Sequence, residues 1–274
     1  MDRVVIFTQP DDRLANILLR AFISALNKRG DMQLVAVCLP YRPSTRRLLI
    51  RLCRDIASQI LKVLRGGRGP ERPAIPRPVF FNHEARRRRF QVVIPADGDI
   101  NDAAFIDDLR DRFRPTVAIS CICLSRFSPR LLASFDYAVN YHNALLPMYR
   151  GLRATAWSVY NNEKSTGYTY HLMDEALDEG AILKQESIPV HDNSTVIDLD
   201  LVKAEMAAQA VPEILNMIAA RSAGHSQTGE GSYYSRKDAV TLQTIDDTTS
   251  VDSKEILRRL RAFGVLYLTI ADRT

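Results

Sequence analysis

Val4 to Thr8 and Leu34 to Leu39 are short apolar runs of β-forming residues, and between them apolar residues from Leu14 to Leu26 recur at helical spacing. This strand, helix and strand within forty residues restrict the chain more than any other feature. A continuously apolar strand must be covered on both faces, which is the situation of a parallel sheet joined by crossover helices. The alternation resumes with Val92 to Pro95, a helical stretch around Ala103 to Phe113, the run Val117 to Leu124, a short helix near Pro129 to Ser134, and a strand ending near His142. The pattern predicts an α/β fold, a doubly wound Rossmann-like domain with a mostly parallel sheet.

Beyond that strand the spacing predicts a helix over Ala154 to Asn161 and strands over Gly167 to Met173 and Ile182 to Val190. A single long helix is expected from about Thr195 to Ala220, with Ser194 or Thr195 as its cap. Ser222 to Gly231 is rich in Gly, Ser, Thr and Gln and reads as a loop, and a further helix is expected near Ser253 to Phe263. The boundaries therefore fall into a catalytic domain over 1–221 and a small C-terminal α+β region over 222–274.

Between the second and third strands lies an insertion, 42–78. Leu48, Leu49, Leu52, Cys53, Ile56, Ile60, Val63 and Leu64 have helical spacing with arginines between them, and a Gly/Pro/Arg linker follows. Arg42 to Arg89 holds 14 Arg and Lys against three acids, so the net charge of +5 resides in this segment and the remainder is mildly acidic. Such a face suits an acidic partner or a membrane surface.

No apolar run reaches the length of a membrane span, and the opening residues carry no signal pattern, so a cytoplasmic protein is expected. Cys38, Cys53, Cys121 and Cys123 lack metal-ligand spacing. Neither a metal site nor a disulfide framework is predicted.

Chemistry concentrates in two places. In VNYHNALLPMYRG, Asn140 and His142 are two residues apart at a strand end, so both side chains point to one side of the sheet. In HLMDEALDEGAIL, the carboxylates Asp174, Glu175, Asp178 and Glu179 cluster before Gly180, where one of them can set the proton affinity of His142. An amide donor, an imidazole and a carboxylate fill the three roles that acyl transfer to an amine requires, without a covalent nucleophile.

The same residues carry a resemblance. Asn140-x-His142, Leu145 to Gly151 as Leu-Leu-Pro-x-Tyr-x-Gly, Thr166 to Thr169 as Thr-Gly-x-Thr, and Leu177 to Gly180 as Leu-Asp-x-Gly resemble, in order, the motifs of the folate-dependent formyltransferase family. The resemblance implies a 10-formyltetrahydrofolate donor, attack by an amine on the formyl carbon, and Asn140, His142 and Asp178 as the reaction centre. Asn140 and His142 would polarise the formyl oxygen, while Asp178 holds His142 or a water that relays the amine proton. It also implies a pterin pocket built from Cys123, Leu124, Ser125 and Arg126 on one side and Asp174 and Glu175 on the other.

For the acceptor, Tyr149 and Arg150 follow the turn that should border the substrate. Tyr233, Tyr234 and Arg236 combine stacking surface with cationic charge suited to a nucleotide diphosphate. His171 reads equally well as a brace, and Trp157 as core. Some forty-five residues follow Gln227, short of the barrel that methionyl-tRNA formyltransferases carry. Thr8 to Asp12 lacks the Gly-rich phosphate loop of the glycinamide ribonucleotide enzymes. The tail is similar to that of enzymes that N-formylate nucleotide-linked amino sugars. A nucleotide-sugar amine is therefore the expected acceptor, with no nucleic acid and a possible homodimer. Formyltetrahydrofolate deformylases share the Asn-x-His and Leu-Asp-Glu-Gly signatures and form the principal alternative, followed by transfer to another small amine and by a non-catalytic folate-binding module.

Overall fold

The computed structural model describes residues 1–9, 12–40, 90–245 and 251–268. The predicted basic helix of the insertion and the arginine run at 86–89 lie outside the described residues.

Strands β1 (Asp2–Thr8), β2 (Met32–Cys38), β3 (Gln91–Val93), β4 (Val117–Cys121) and β5 (Tyr137–His142) form a parallel sheet, extended by two antiparallel strands, β7 (Ser165–Leu172) and β8 (Ile182–Pro189). The order is β3-β2-β1-β4-β5-β7-β8. Period-two alternation explains the unbroken apolar runs. Val4 and Ile6 of β1 enter one core layer, while Val5 and Phe7 enter the layer on the opposite face.

The first layer is closed by α1 (Arg13–Leu26), whose Leu18, Leu19, Phe22 and Leu26 are buried against the sheet. Asp12 starts this helix by accepting from the backbone N–H groups of Leu14 (2.8 Å) and Ala15 (2.9 Å). The helix thus carries its own carboxylate cap where nucleotide-binding relatives of this fold place a phosphate. The opposite layer is closed by α2 (Ala103–Phe113), capped by Asp102 and burying Phe105, Ile106, Leu109 and Phe113. The short α3 (Pro129–Leu132) follows β4.

One predicted element divides in two. The expected helix from Thr195 to Ala220 is capped by Thr195 but runs as α5 (Val196–Gln209) and α6 (Val211–Ala219). Pro212 stands at the start of α6, where it can donate no N–H to the preceding turn.

A third apolar cluster joins the C-terminal residues to the rest. The two-residue strand β6 (Arg150–Gly151) pairs with β9 (Tyr233–Tyr234). After α7 (Arg236–Gln243) and the pairing of β10 (Thr244–Ile245) with β11 (Tyr267–Leu268), helix α8 (Ser253–Phe263) packs against α4 (Ala154–Tyr160). Trp157 of α4 stacks on Tyr234 at 4.0 Å and meets Phe263 edge-on at 5.3 Å, as expected for a core residue.

Candidate active site

Val139 and Tyr141 of β5 point into the first core layer, so the pleat turns Asn140 and His142 to the other face, at the carboxyl end of the sheet. Across the antiparallel pairing, Asn140 stands opposite His171 of β7. The connection from β7 to β8 then brings Asp178 back over both.

The hydrogen bonds fix the protonation pattern. His171 Nδ1 donates to the Leu172 carbonyl at 2.7 Å, which leaves Nε2 as an acceptor for Asn140 Nδ2 at 3.0 Å. The same amide nitrogen reaches Asp178 Oδ1 at 3.5 Å. His142 Nε2 donates to the Tyr149 carbonyl at 2.9 Å, and its Nδ1 lies 3.5 Å from Asp178 Oδ2. That carboxylate oxygen also accepts from the Gly151 N–H at 2.9 Å.

Burial is the largest influence on both titrating groups. It holds His142 below the ordinary imidazole value, with the Asp178 carboxylate acting in the opposite direction. Burial pushes Asp178 up, but the imidazoles of His142 and His171 and the Gly151 N–H outweigh it and bring the carboxyl down to about 2. Near neutral pH the pair is thus a neutral ring and a charged carboxylate. A proton arriving at Nδ1 would be stabilised at once by Asp178.

Two glycines make this arrangement possible. Gly151 has φ +90°, and a Cβ there would stand 2.3 Å from the Tyr234 carbonyl oxygen. At Gly180 a Cβ would lie 1.9 Å from the Leu172 carbonyl oxygen, so only glycine lets the loop close onto β7. Asp178 itself is left-handed, with φ +57°. Its conformation is braced by Gln227, whose Nε2 donates to the carbonyls of Asp178 (2.8 Å) and Gly180 (3.0 Å).

These groups open on a cavity of about 830 Å³. Asn140, His142, His171 and Asp178 share its lining with two further groups of residues. One holds Cys123, Leu124, Ser125 and Arg126 with Asp174 and Glu175, the residues assigned above to the pterin. The other includes Thr155, Asp200 and Tyr233. No group of three or more His, Cys, Asp or Glu suited to a metal occurs among the described residues. None of the described helices is long and apolar enough to cross a membrane.

Four residues expected at the acceptor do not line this cavity. The Tyr149 ring is buried and hydrogen-bonded to Glu163 at 2.5 Å, so only its backbone serves the site, through His142. Arg150 turns away to Glu179 (2.9 Å) and Gln227 (2.8 Å). Tyr234 is held in the aromatic stack with Trp157 and Tyr149. Arg236 opens α7, outside the cavity wall. Conversely, His171, read from sequence as a possible brace, touches both Asn140 and Asp178.

The molecule is a mostly parallel α/β protein with an amide, an imidazole and a carboxylate gathered beside a cavity at the carboxyl edge of its sheet. Residues 64–215 match the formyl transferase family, and the chain belongs to that family. It is 41% identical over 100 residues to the GDP-perosamine N-formyltransferase of Brucella melitensis biotype 1, a match covering 36% of this chain and 39% of that relative. Among solved structures, a sugar N-formyltransferase from Shewanella superposes over 100% of this chain and 95% of its own, with a TM-score of 0.67 at 16% identity. An N-formyltransferase from Helicobacter canadensis, solved in complex with folinic acid and dTDP-3-aminofucose, covers 98% of this chain and 84% of its own, with a TM-score of 0.59 at 18% identity.

Proposed function

We propose that this protein transfers the formyl group of 10-formyltetrahydrofolate to the amine of a nucleotide-linked amino sugar. The observation that carries the reading is that Asn140, His142 and Asp178, joined by short contacts, line one cavity whose volume lies in the range of small-molecule sites. The names of the Brucella, Shewanella and Helicobacter relatives support a sugar acceptor, and folinic acid in the Helicobacter protein supports a folate donor.

In this reading the folate lies against the wall of Cys123 to Arg126, with Asp174 and Glu175 across from it, and its formyl carbon reaches Asn140. The amide hydrogen that Asn140 directs at Asp178 across 3.5 Å is at the limit of hydrogen bonding, so a formyl oxygen recruits it at little cost. The acceptor nitrogen attacks the formyl carbon, giving a tetrahedral intermediate. The ammonium proton passes to the His142–Asp178 pair, the bond from formyl carbon to folate nitrogen breaks, and that nitrogen takes a proton as the amide product leaves.

The test is incubation with 10-formyltetrahydrofolate and a panel of GDP- and dTDP-linked 4-amino-4,6-dideoxy and 3-amino sugars, following product mass and free formate together. An N-formyl sugar with stoichiometric tetrahydrofolate is expected. Formate released with no formylated acceptor would refute transfer and identify a hydrolase.

A further inference from the structure

A second polar cluster lines the same cavity without touching the reaction centre. Asp200, on α5, offers Oδ1 to two donors, Asn143 Nδ2 at 2.6 Å and the Thr155 hydroxyl, and forms an ion pair with the Lys203 ammonium at 3.7 Å. Lys203 is fully buried, and its Nζ also donates to the Asn143 carbonyl (2.9 Å) and Thr155 Oγ1 (2.5 Å). Asn143 Nδ2 gives its second hydrogen to Thr155 Oγ1 at 3.0 Å, and Asn143 Oδ1 accepts from the Tyr141 hydroxyl at 2.9 Å. Each polar atom named so far is satisfied.

The exception is Asp200 Oδ2, which has no hydrogen-bond partner among the described residues. Its side chain keeps 23% exposure, and the residue lines the cavity. A network this complete holds one carboxylate oxygen in place and presents the other to whatever enters. The adjacent Lys203 already balances the charge, so the position calls for a neutral donor rather than a second cation. Asp200 shares the cavity lining with Asn140 and His142, and the ammonium of Lys203 beside it is felt at the His142 ring, so a group bound at Oδ2 belongs to the part of the acceptor nearer its amine.

We propose that Asp200 is a specificity-determining residue that accepts a hydrogen bond from the acceptor hydroxyl on the carbon next to the amine-bearing carbon. The assignment rests on the nucleotide-sugar reading above. A hydroxyl donating to a charged acceptor gives about 10- to 100-fold preference over a substrate that lacks it.

The test measures kcat/KM for wild type, Asp200→Ala and Asp200→Asn on a matched pair of acceptors. One is the nucleotide-linked amino sugar of the panel above that wild type formylates fastest, and the other is its analogue without the hydroxyl next to the amine. Wild type should prefer the first by about 10- to 100-fold. Asp200→Ala should lose the preference, and Asp200→Asn, the isosteric variant that keeps an acceptor oxygen, should reduce it. The ratio does not depend on the folded fraction, so a purely structural role for Asp200 would lower both rates and leave the ratio intact. An unchanged ratio in both variants, or no preference in wild type, overturns the assignment while the transferase reading stands. Failure of wild type to formylate any amino sugar of the panel above removes that reading and this assignment with it.

Discussion

Replacing Lys203 by Met tests how the buried cluster is charged. Lys203 is fully buried, and burial is the largest influence on its ammonium, pulling it down to about 8 from an ordinary 10.5 even though Asp200 works to raise it. At about 1.4 kcal/mol per pH unit, the charged form costs the folded state about 3 kcal/mol near neutral pH. The folded pKa is depressed, so the cost is complete below pH 8. It disappears as pH rises toward 10.5, because there the unfolded chain still holds a proton that the folded chain has released. Cys38, Cys121 and Tyr170 oppose this trend. Their buried thiols and phenol are pushed up by burial, so unfolding becomes easier as alkali ionises them in the unfolded chain. They act equally in both proteins and cancel in the difference. Urea titrations of wild type and Lys203→Met, under reducing conditions and constant ionic strength, should show wild type gaining about 3 kcal/mol on the variant between pH 7.5 and 10.5. A difference that stays flat over that range would refute the argument and show that Lys203 is hydrated.

The pH profile of kcat/KM should have an acid limb below pH 6.5, because in the proposed mechanism the neutral His142 ring takes the ammonium proton and burial depresses its pKa. The Lys203 charge is a smaller cause of that depression, so Lys203→Met should move the limb upward, and a limb fixed in place would separate the two residues. Gly151→Ala should lower turnover by at least about tenfold with a modest loss of stability, because the added Cβ meets the Tyr234 carbonyl and displaces the N–H that holds Asp178. Steady-state kinetics beside thermal melts would show it, and near-wild-type turnover would remove Gly151 from the site.

Most of the sheet was legible because its signals are local. The runs Val4 to Thr8 and Val117 to Leu124 announce strands buried on both faces, and the two-residue interval from Asn140 to His142 implies a shared face whatever the neighbouring strands do. The role of His171 was not legible, because it depends on the register that sets β7 opposite β5, and register is a tertiary property. The place of Tyr149 and Arg150 after a turn points to the acceptor side, yet the left-handed conformation of Tyr149 (φ +62°) turns its ring into the apolar cluster. Asp200 and Lys203 read as one more charged turn of a helix. Only packing α5 over the loop after β5 turns that charge inward. Pro212 was visible throughout, and its cost inside a helix outweighed an apolar spacing that continued unbroken.

Gln227, Ser232 and Tyr234 belong to the segment that follows the sheet, yet each fastens a backbone group of the loops at 149–152 and 178–180 that enclose the candidate site. Gln227 holds the Asp178 and Gly180 carbonyls, Ser232 accepts from the Tyr149 N–H, and the Tyr234 carbonyl accepts from the Leu152 N–H. The chain is therefore not modular in the way its linear order suggests. Grafting another relative's tail onto this sheet, in order to change the acceptor, would replace the clamps on Asp178 at the same time. A useful chimera must exchange the loops at 147–152 and 174–180 together with the tail, as one interlocked part.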